Sequence, residues 1–145
     1  DVEVRFPEEY INNIAERMDL YRDLDNLEEL SQLEVFRKNL IDRFGELPKQ
    51  AEGLMEIVEI RIIARTMGIE KLILKNNTIR IYFISNSDSP FYKSAAFESI
   101  LKWLQAHPKK AKMEEKQGKL LMTVPAIRKT SEVLNLLCLM KNFNQ

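Results

Sequence analysis

Apolar residues recur at helical spacing through the first 67 positions of the chain. Proline and two acids at positions 7–9 suit a helix start, and the stripe that follows predicts a first helix ending near Leu24. The stripe consists of Tyr10, Ile14, Met18 (or Arg17), Tyr21 and Leu24. A second helix is predicted after Asp25 or Asn26, because either residue can cap it. Its apolar face consists of Leu27, Leu30, Leu33, Phe36, Leu40 and Phe44.

A third helix is predicted from Pro48 to about Met67, and Gly68 is its natural end. Apolar positions nearly encircle this segment and leave only a narrow strip of glutamates. A helix of this composition is typically buried on several sides, so we expect it at the centre of the fold.

The period of the pattern changes after Gly68. Segments 72–74 and 79–84 are rich in β-branched and aromatic residues, and Asn76-Asn77 lies between them. Asparagine tolerates positive φ, so this pair suits a tight hairpin turn. A second pair of strands, 112–116 and 119–124, is predicted around Gln117-Gly118.

A helix is predicted after each hairpin, from about Phe91 to Gln105 and from Thr130 or Ser131 to about Asn142. The order is three helices, hairpin, helix, hairpin, helix. This order predicts an α+β fold in which the two hairpins form one antiparallel sheet with helices packed on a face. We expect a single domain over residues 1–145, with a helical part at about 1–68 and a sheet-plus-helix part at about 69–145.

Residues 39–48, Asn-Leu-Ile-Asp-Arg-Phe-Gly-Glu-Leu-Pro, form the corner between the second and third helices. Gly45 supplies the positive φ that commonly ends a helix, and Pro48 suits the first turn of the next one. The corner also holds an acid and a base, Asp42 and Arg43, beside hydrophobic anchors.

Charge and composition narrow the function. The 22 basic residues balance 22 acidic ones, so net charge indicates no electrostatic partner, and the basic excess usual in nucleic-acid-binding domains is absent. With only His107 and Cys138 as soft ligands, we expect no structural zinc site. No apolar run approaches the roughly 20 residues of a membrane span. The chain starts at Asp1 rather than Met, as a mature fragment or a domain of a longer protein does.

The sequence contains no pattern typical of an enzyme. Four isolated glycines cannot form a phosphate-binding loop, and nothing around His107 suggests a nucleophilic triad. Paired carboxylates at 8–9, 28–29 and 114–115 lie near predicted helix starts or on a strand edge, where we expect them to be solvated. The sequence therefore predicts a non-catalytic binding or regulatory module.

Six lysines gather near Trp103 and along the second hairpin. They are Lys102, Lys109, Lys110, Lys112, Lys116 and Lys119. One interpretation is a phosphate-contacting patch, which would make the chain a nucleic-acid-binding module. The other is a solvated hairpin whose edge lysines discourage strand association. We favour the second, since Glu114 and Glu115 interrupt the cluster and the chain is neutral.

The corner at 39–48 resembles a motif in the C-terminal domain of bacterial transcription-repair coupling factors. Phe-Pro-Glu-Glu-Tyr-Ile at 6–11 and Arg-Met-Asp-Leu-Tyr at 17–21 are similar to segments upstream of that motif in the family. Residues 60–72 are similar to the family's leucine-rich helix and the Gly-Ile-x-Lys junction after it. The likeness covers about Val2 to Leu72, and beyond it only the order of elements matches.

The resemblance implies that the chain is a fragment of a large, multidomain, ATP-dependent translocase of double-stranded DNA. In this family the parent protein displaces stalled RNA polymerase and recruits nucleotide excision repair in the bacterial cytoplasm. The motor motifs are missing from these 145 residues. ATP and Mg²⁺ are thus expected in the parent's motor domains, with no catalytic residue, cofactor or metal site in the fragment and no membrane partner.

The resemblance also implies a regulatory role. In the family this domain packs on the parent's N-terminal UvrB-like module and masks the surface that binds UvrA. Asp42 matches an acid of that contact surface, whereas the family's frequent Glu before Leu40 is Asn39 here. Glu34 and Lys38 share a helical side with Asp42. The interdomain contact is therefore expected at Glu34, Lys38, Asn39 and Asp42, although each position also suits an ordinary solvated helix surface.

Overall fold

The computed structural model describes residues 4–143. Its helices are α1 (Ile14–Asp25), α2 (Leu30–Phe44), α3 (Lys49–Thr66), α4 (Ala95–Ala106) and α5 (Thr130–Lys141), with a short 3-10 helix at Pro90–Lys93. Its strands are β1 (Ile69–Lys75), β2 (Thr78–Phe83), β3 (Lys112–Lys116) and β4 (Lys119–Pro125). The chain divides into two compact units, residues 1–62 and 63–145, called here the N-terminal and C-terminal units.

The predicted fold class is confirmed. Three helices precede two hairpins that join in one antiparallel sheet, and a helix follows each hairpin. The sheet has the strand order β1-β2-β4-β3, so β2 and β4 are central and β1 and β3 are edges.

The N-terminal unit is held together by one apolar cluster. Its buried members are Phe6, Ile11, Leu20, Leu24, Leu33, Leu40, Ala51, Met55, Val58 and Ile62. They come from α1, α2, the first part of α3 and the segment before α1. The guanidinium of Arg61 donates hydrogen bonds of 3.0 Å to the carbonyl oxygens of Leu24 and Leu27, and so satisfies acceptors at the end of α1.

Helix α1 differs from its prediction in two ways. It begins at Ile14, where the Asn13 side chain accepts a hydrogen bond from the Glu16 N–H, and not at Pro7. Residues 7–10 instead form a turn in which the carbonyl oxygen of Pro7 accepts hydrogen bonds from the backbone N–H groups of Tyr10 and Ile11. Ile14 and Met18 were expected in the apolar stripe, but they are 67% and 46% exposed. Leu24 is buried as predicted, and Leu20, which the predicted stripe leaves out, is buried beside it. Ile14 and Met18 lie about 80–160° around the helix from these two residues and therefore outside the core face.

Both predicted hairpin turns are confirmed in the C-terminal unit. Asn76 and Asn77 have φ of 54° and 58°, as a two-residue turn with both central residues left-handed requires. Gln117 and Gly118 take the same region at 53° and 76°. β1 pairs with β2, β2 with β4, and β4 with β3, all antiparallel.

One face of the sheet is buried. Ile79, Ile81 and Phe83 alternate along β2 and are at most 1% exposed. The ring of Phe83 contacts those of Phe91 and Phe97, at centroid distances of 6.4 and 6.2 Å. The helix predicted to start near Phe91 is divided, because Ser94 ends the 3-10 helix and then caps α4 with its side chain.

Candidate interaction surface

Helix α2 has one buried and one exposed face. Leu33 and Leu40 are 7% and 2% exposed and fix the buried side. Glu34, Lys38 and Asp42 are exposed and follow one another at four-residue spacing, so each is rotated only about 40° from the last. These three side chains therefore form a continuous charged row on the solvent side of the helix.

Asn39 and Asp42 lie in a shallow groove between α1 and α2. The groove has a volume of about 280 Å³. It is lined by Leu20, Asp23, Phe36, Asn39, Leu40, Asp42 and Arg43. Two of the four predicted contact residues are thus brought together at one site.

The other two predicted residues lie elsewhere on the helix surface. Glu34 lines a second groove, with Leu30, Leu33 and Arg37 of α2 and with Met55 and Glu59 of α3. Lys38 is exposed and lies between the two grooves along the helix. The structure therefore separates the predicted set into a pair beside α1, one residue beside α3, and a lysine between them.

The two charged residues near the end of α2, Asp42 and Arg43, differ in their ion pairing. Arg43 is bonded to Glu16 of α1, with Nη2 2.7 Å from Oε1, and its guanidinium lies 4.7 Å from the centroid of the Phe44 ring. Asp42 forms no ion pair or side-chain hydrogen bond with any residue in the range 4–143. Asn39 is likewise without a side-chain partner among the residues that the structure describes. Both side chains are consequently available to an outside partner.

Asp23 supplies a second acid to the same groove. It is exposed on α1 and has no ion-pair partner among residues 4–143. The sequence interpretation missed it because Asp23 and Asp42 are 19 positions apart and only the packing of α1 against α2 brings them to one groove. The groove thus has two carboxylates without an ion pair in the described part of the chain, even though Asn39 carries no charge.

Two exposed apolar side chains flank this surface. Val35 is 59% exposed and Ile41 38% exposed, both on α2. At 100° per residue, Val35 lies on the same side of the helix as Asp42, and Ile41 on the same side as Glu34, about two turns apart along the axis in each case. A mixture of free acids and a few exposed apolar groups is typical of modest interfaces between domains of one chain.

Tyr10 and Arg37 hold α2 in place. The Tyr10 hydroxyl donates to the carbonyl oxygen of Gly45 at 2.7 Å, at the end of α2, where Gly45 has a φ of 89°. Burial, followed by the nearby Glu52 carboxylate, raises the pKa of Tyr10 above its ordinary value of 10.0. Arg37 donates two bonds to Glu52 of α3, at 2.8 and 2.6 Å, and this hydrogen bonding raises the pKa of Arg37 further.

The predicted lysine cluster is only partly brought together. Lys109, Lys110, Lys112 and Lys116 line one groove of the C-terminal unit. The other two lysines lie elsewhere: Lys102 forms an ion pair with Glu98 at 3.3 Å, and Lys119 does not line the groove. The neighbouring Trp103 is buried, with 4% of its surface exposed.

Metal-ligating side chains are scattered over the described range. No three His, Cys, Asp or Glu side chains of residues 4–143 are grouped so that they could hold a metal ion. His107 stacks on Trp103, with ring centroids 4.8 Å apart. No helix within these residues is both long enough and apolar enough to cross a bilayer.

The fold and this surface define an α+β domain whose helix α2 carries an acid, Asp42, with no ion-pair partner among residues 4–143. Residues 1–94 match the family model described as the TRCF domain, and the chain belongs to that family. The resemblance seen in residues 39–48 and their flanking segments is therefore confirmed.

Curated relatives are named transcription-repair-coupling factor. One from Rickettsia bellii is 30% identical over 127 residues, which are 88% of this chain and 11% of that protein. One from Buchnera aphidicola is 39% identical over 108 residues, covering 74% of this chain and 13% of the relative. The chain thus spans about a tenth of the length of these relatives.

A solved structure has the same fold. The crystal structure of the C-terminal domain of transcription-repair coupling factor superposes with a TM-score of 0.77 and 22% sequence identity. The match covers 97% of this chain and 86% of that one.

Proposed function

We propose that this chain is a non-catalytic, autoinhibitory domain of a transcription-repair coupling factor. Its α1–α2 groove would pack on the N-terminal UvrB-like module of the same parent chain and mask the surface that UvrA binds. The observation that carries the proposal is a pair of carboxylates, Asp42 and Asp23, that lie in a groove beside Asn39 and have no ion-pair partner within residues 4–143. Family membership supports the placement of this chain within such a parent.

The charges suit a reversible contact with a basic surface. Exposed acids form salt-sensitive bonds that are individually worth only about 0.2–1 kcal/mol, so a few of them make a weak interface. A tether within one chain compensates, because it supplies an effective concentration in the millimolar range. A conformational change that adds a few kcal/mol of strain would then open the contact and release the UvrA-binding surface.

Motor activity belongs, in this proposal, to other domains of the parent. ATP and Mg²⁺ would bind the parent's motor domains, as would the double-stranded DNA that is translocated, and the parent would engage RNA polymerase in the bacterial cytoplasm. In this role the chain would hold no cofactor of its own.

A charge reversal in the full-length parent tests the proposal. Asp42→Lys places a cation against the proposed basic surface, so it should weaken the intramolecular contact and increase binding to UvrA. The measurement is UvrA affinity by fluorescence anisotropy, compared with the unsubstituted parent.

Asp88→Lys is the matched control. Asp88 lies in the exposed loop after β2 and undergoes the same change of charge far from α2 in sequence. It should leave UvrA affinity unchanged. If circular dichroism shows that both proteins are folded and the Asp42→Lys variant binds UvrA with the same affinity as the unsubstituted parent, Asp42 is excluded from the contact.

A further inference from the structure

The chain is neutral overall, but its two units carry opposite net charges. Residues 1–62 contain 8 Lys and Arg against 16 Asp and Glu, a net charge of −8. Residues 63–145 contain 14 against 6, a net charge of +8. The whole chain has no basic excess, but its C-terminal unit does. A charge asymmetry of this size is typical of chains with a polyanionic partner.

The outer face of the sheet concentrates part of this positive charge. Side chains alternate along each strand, so the residues opposite the buried Ile79 and Ile81 share the other face. Arg80 of β2 pairs with Thr123 of β4, which pairs in turn with Lys112 of β3. These three residues thus form a row across the sheet, with neighbouring strands about 4.8 Å apart.

The segment before β3 turns this face into a groove. The groove has a volume of about 560 Å³. Its basic residues are Arg80, Lys109, Lys110, Lys112 and Lys116, and its hydroxyl groups are those of Thr78 and Thr123. Within residues 4–143 the sole ion pair that involves these five cations joins Lys112 to Glu114 at 3.9 Å, with the lysine side chain 79% exposed. The carboxylate of Glu114 also lines the groove, and the Thr78 hydroxyl donates to the carbonyl oxygen of Asn76 at 3.3 Å. Five cations therefore converge with one carboxylate among them.

Protection of a sheet edge does not account for this groove. β3 is an edge strand, so Lys112 and Lys116 could serve that purpose. Arg80 lies on β2, which has a paired strand on each side, and is nevertheless exposed on the outer face. Lys109 and Lys110 lie outside the strands altogether. A ligand with several negative charges explains all five cations.

We propose that this groove binds the sugar-phosphate backbone of double-stranded nucleic acid without reading its sequence. Lysine and arginine contacts to phosphate supply most of the affinity of such binding. Recognition of a single strand typically relies on several aromatic stacking platforms. Among the outer positions of the four strands, Tyr82 is the one aromatic residue, and Lys71 lies 5.9 Å from its ring centroid. The composition of the face therefore favours an intact duplex. This site is independent of the contact proposed for α2.

The test uses the 145-residue chain and a fluorescently labelled 20-base-pair DNA duplex of arbitrary sequence, measured by anisotropy. With about four to five phosphate contacts, the slope of log K against log salt should be about −4, which weakens binding on the order of 100-fold between 50 and 200 mM salt. The double variant Arg80→Glu, Lys110→Glu should weaken binding at 50 mM salt by about tenfold or more. A single strand of the same length should bind more weakly than the duplex.

The matched control is Lys93→Glu with Lys129→Glu, which makes the same change of net charge at exposed positions outside the groove. It should reduce affinity far less than the groove variant does. The proposal is overturned if the chain does not bind the duplex at 50 mM salt, or if the control weakens binding as much as the groove variant. It is also overturned if the chain self-associates at low salt and the groove variants abolish that association but leave duplex binding intact, since the occupant would then be a second copy.

Discussion

At the scale of single residues, Asp42 and Arg43 are adjacent and exposed but have different surroundings. Arg43 is bonded to Glu16 and lies over Phe44, so it belongs to the fold. Asp42 has no partner within residues 4–143 and is left for an outside contact. The sequence motif predicts that both residues matter, but only the packing of α1 against α2 shows which charge remains free.

The hydroxyl of Tyr10 should make the stability of the fold depend on pH. Its raised pKa means that the neutral phenol is favoured in the folded state, so its contribution to stability is complete below pH 10 and is lost as pH rises through the folded-state pKa. At pH 8, Tyr10→Phe should lower the free energy of unfolding by about 0.5–1.5 kcal/mol, because the bond to Gly45 is lost.

Urea denaturation of both proteins, followed by circular dichroism at several pH values, checks this expectation. The unsubstituted chain and the variant should converge in stability as the pH rises above 10, because ionised Tyr10 can no longer donate to Gly45. If the difference in free energy of unfolding between the unsubstituted chain and Tyr10→Phe stays constant from pH 8 to above pH 10, the Tyr10 hydroxyl does not stabilise the fold through this hydrogen bond.

At the scale of elements, local chemistry made some features predictable and tertiary packing decided others. The hairpin turns follow from Asn76-Asn77 and Gln117-Gly118, because positive φ is a local requirement. The face of α1 that packs on the core is set by the contacts of Leu20 and Leu24 in the apolar cluster, and periodicity counted from Tyr10 placed Ile14 and Met18 on the wrong face. A spacing pattern defines a stripe but does not establish whether the stripe is covered.

The two faces of α2 lead to a prediction about stability. Leu40 is 2% exposed, so Leu40→Ala should lower the free energy of unfolding by about 2–5 kcal/mol through the cavity that it leaves. Val35 is 59% exposed, and Val35→Ala should change that free energy by less than about 0.5 kcal/mol. Chemical denaturation of the two variants measures both values. A loss for Val35→Ala comparable to that for Leu40→Ala would mean that α2 is oriented differently.

At the scale of the whole molecule, the sequence predicts the class of the fold and the order of its elements, but not the charge pattern that the fold creates. The strand order β1-β2-β4-β3 places Arg80 two strands from Lys112, a proximity that no local pattern encodes. Asp23 joins Asp42 for the same kind of reason. Both candidate surfaces are built from residues distant in sequence, so both required the tertiary structure.

If the α1–α2 groove packs on the UvrB-like module, Asp42 and Asp23 are masked in the full-length parent, and carboxylate labelling measures that masking. The isolated 145-residue chain and the full-length parent would each be treated with a carbodiimide and an amine, and the modification of individual acids would be followed by mass spectrometry. Asp88, in the exposed loop after β2, is the internal reference.

Asp42 and Asp23 should react several times more slowly in the full-length parent than in the isolated chain, whereas Asp88 should react equally in both. Saturating UvrA should restore the faster labelling of Asp42 and Asp23, since UvrA competes for the surface that covers them. Equal labelling rates of Asp42 in the isolated chain and in the full-length parent would contradict the claim that this groove is the autoinhibitory contact.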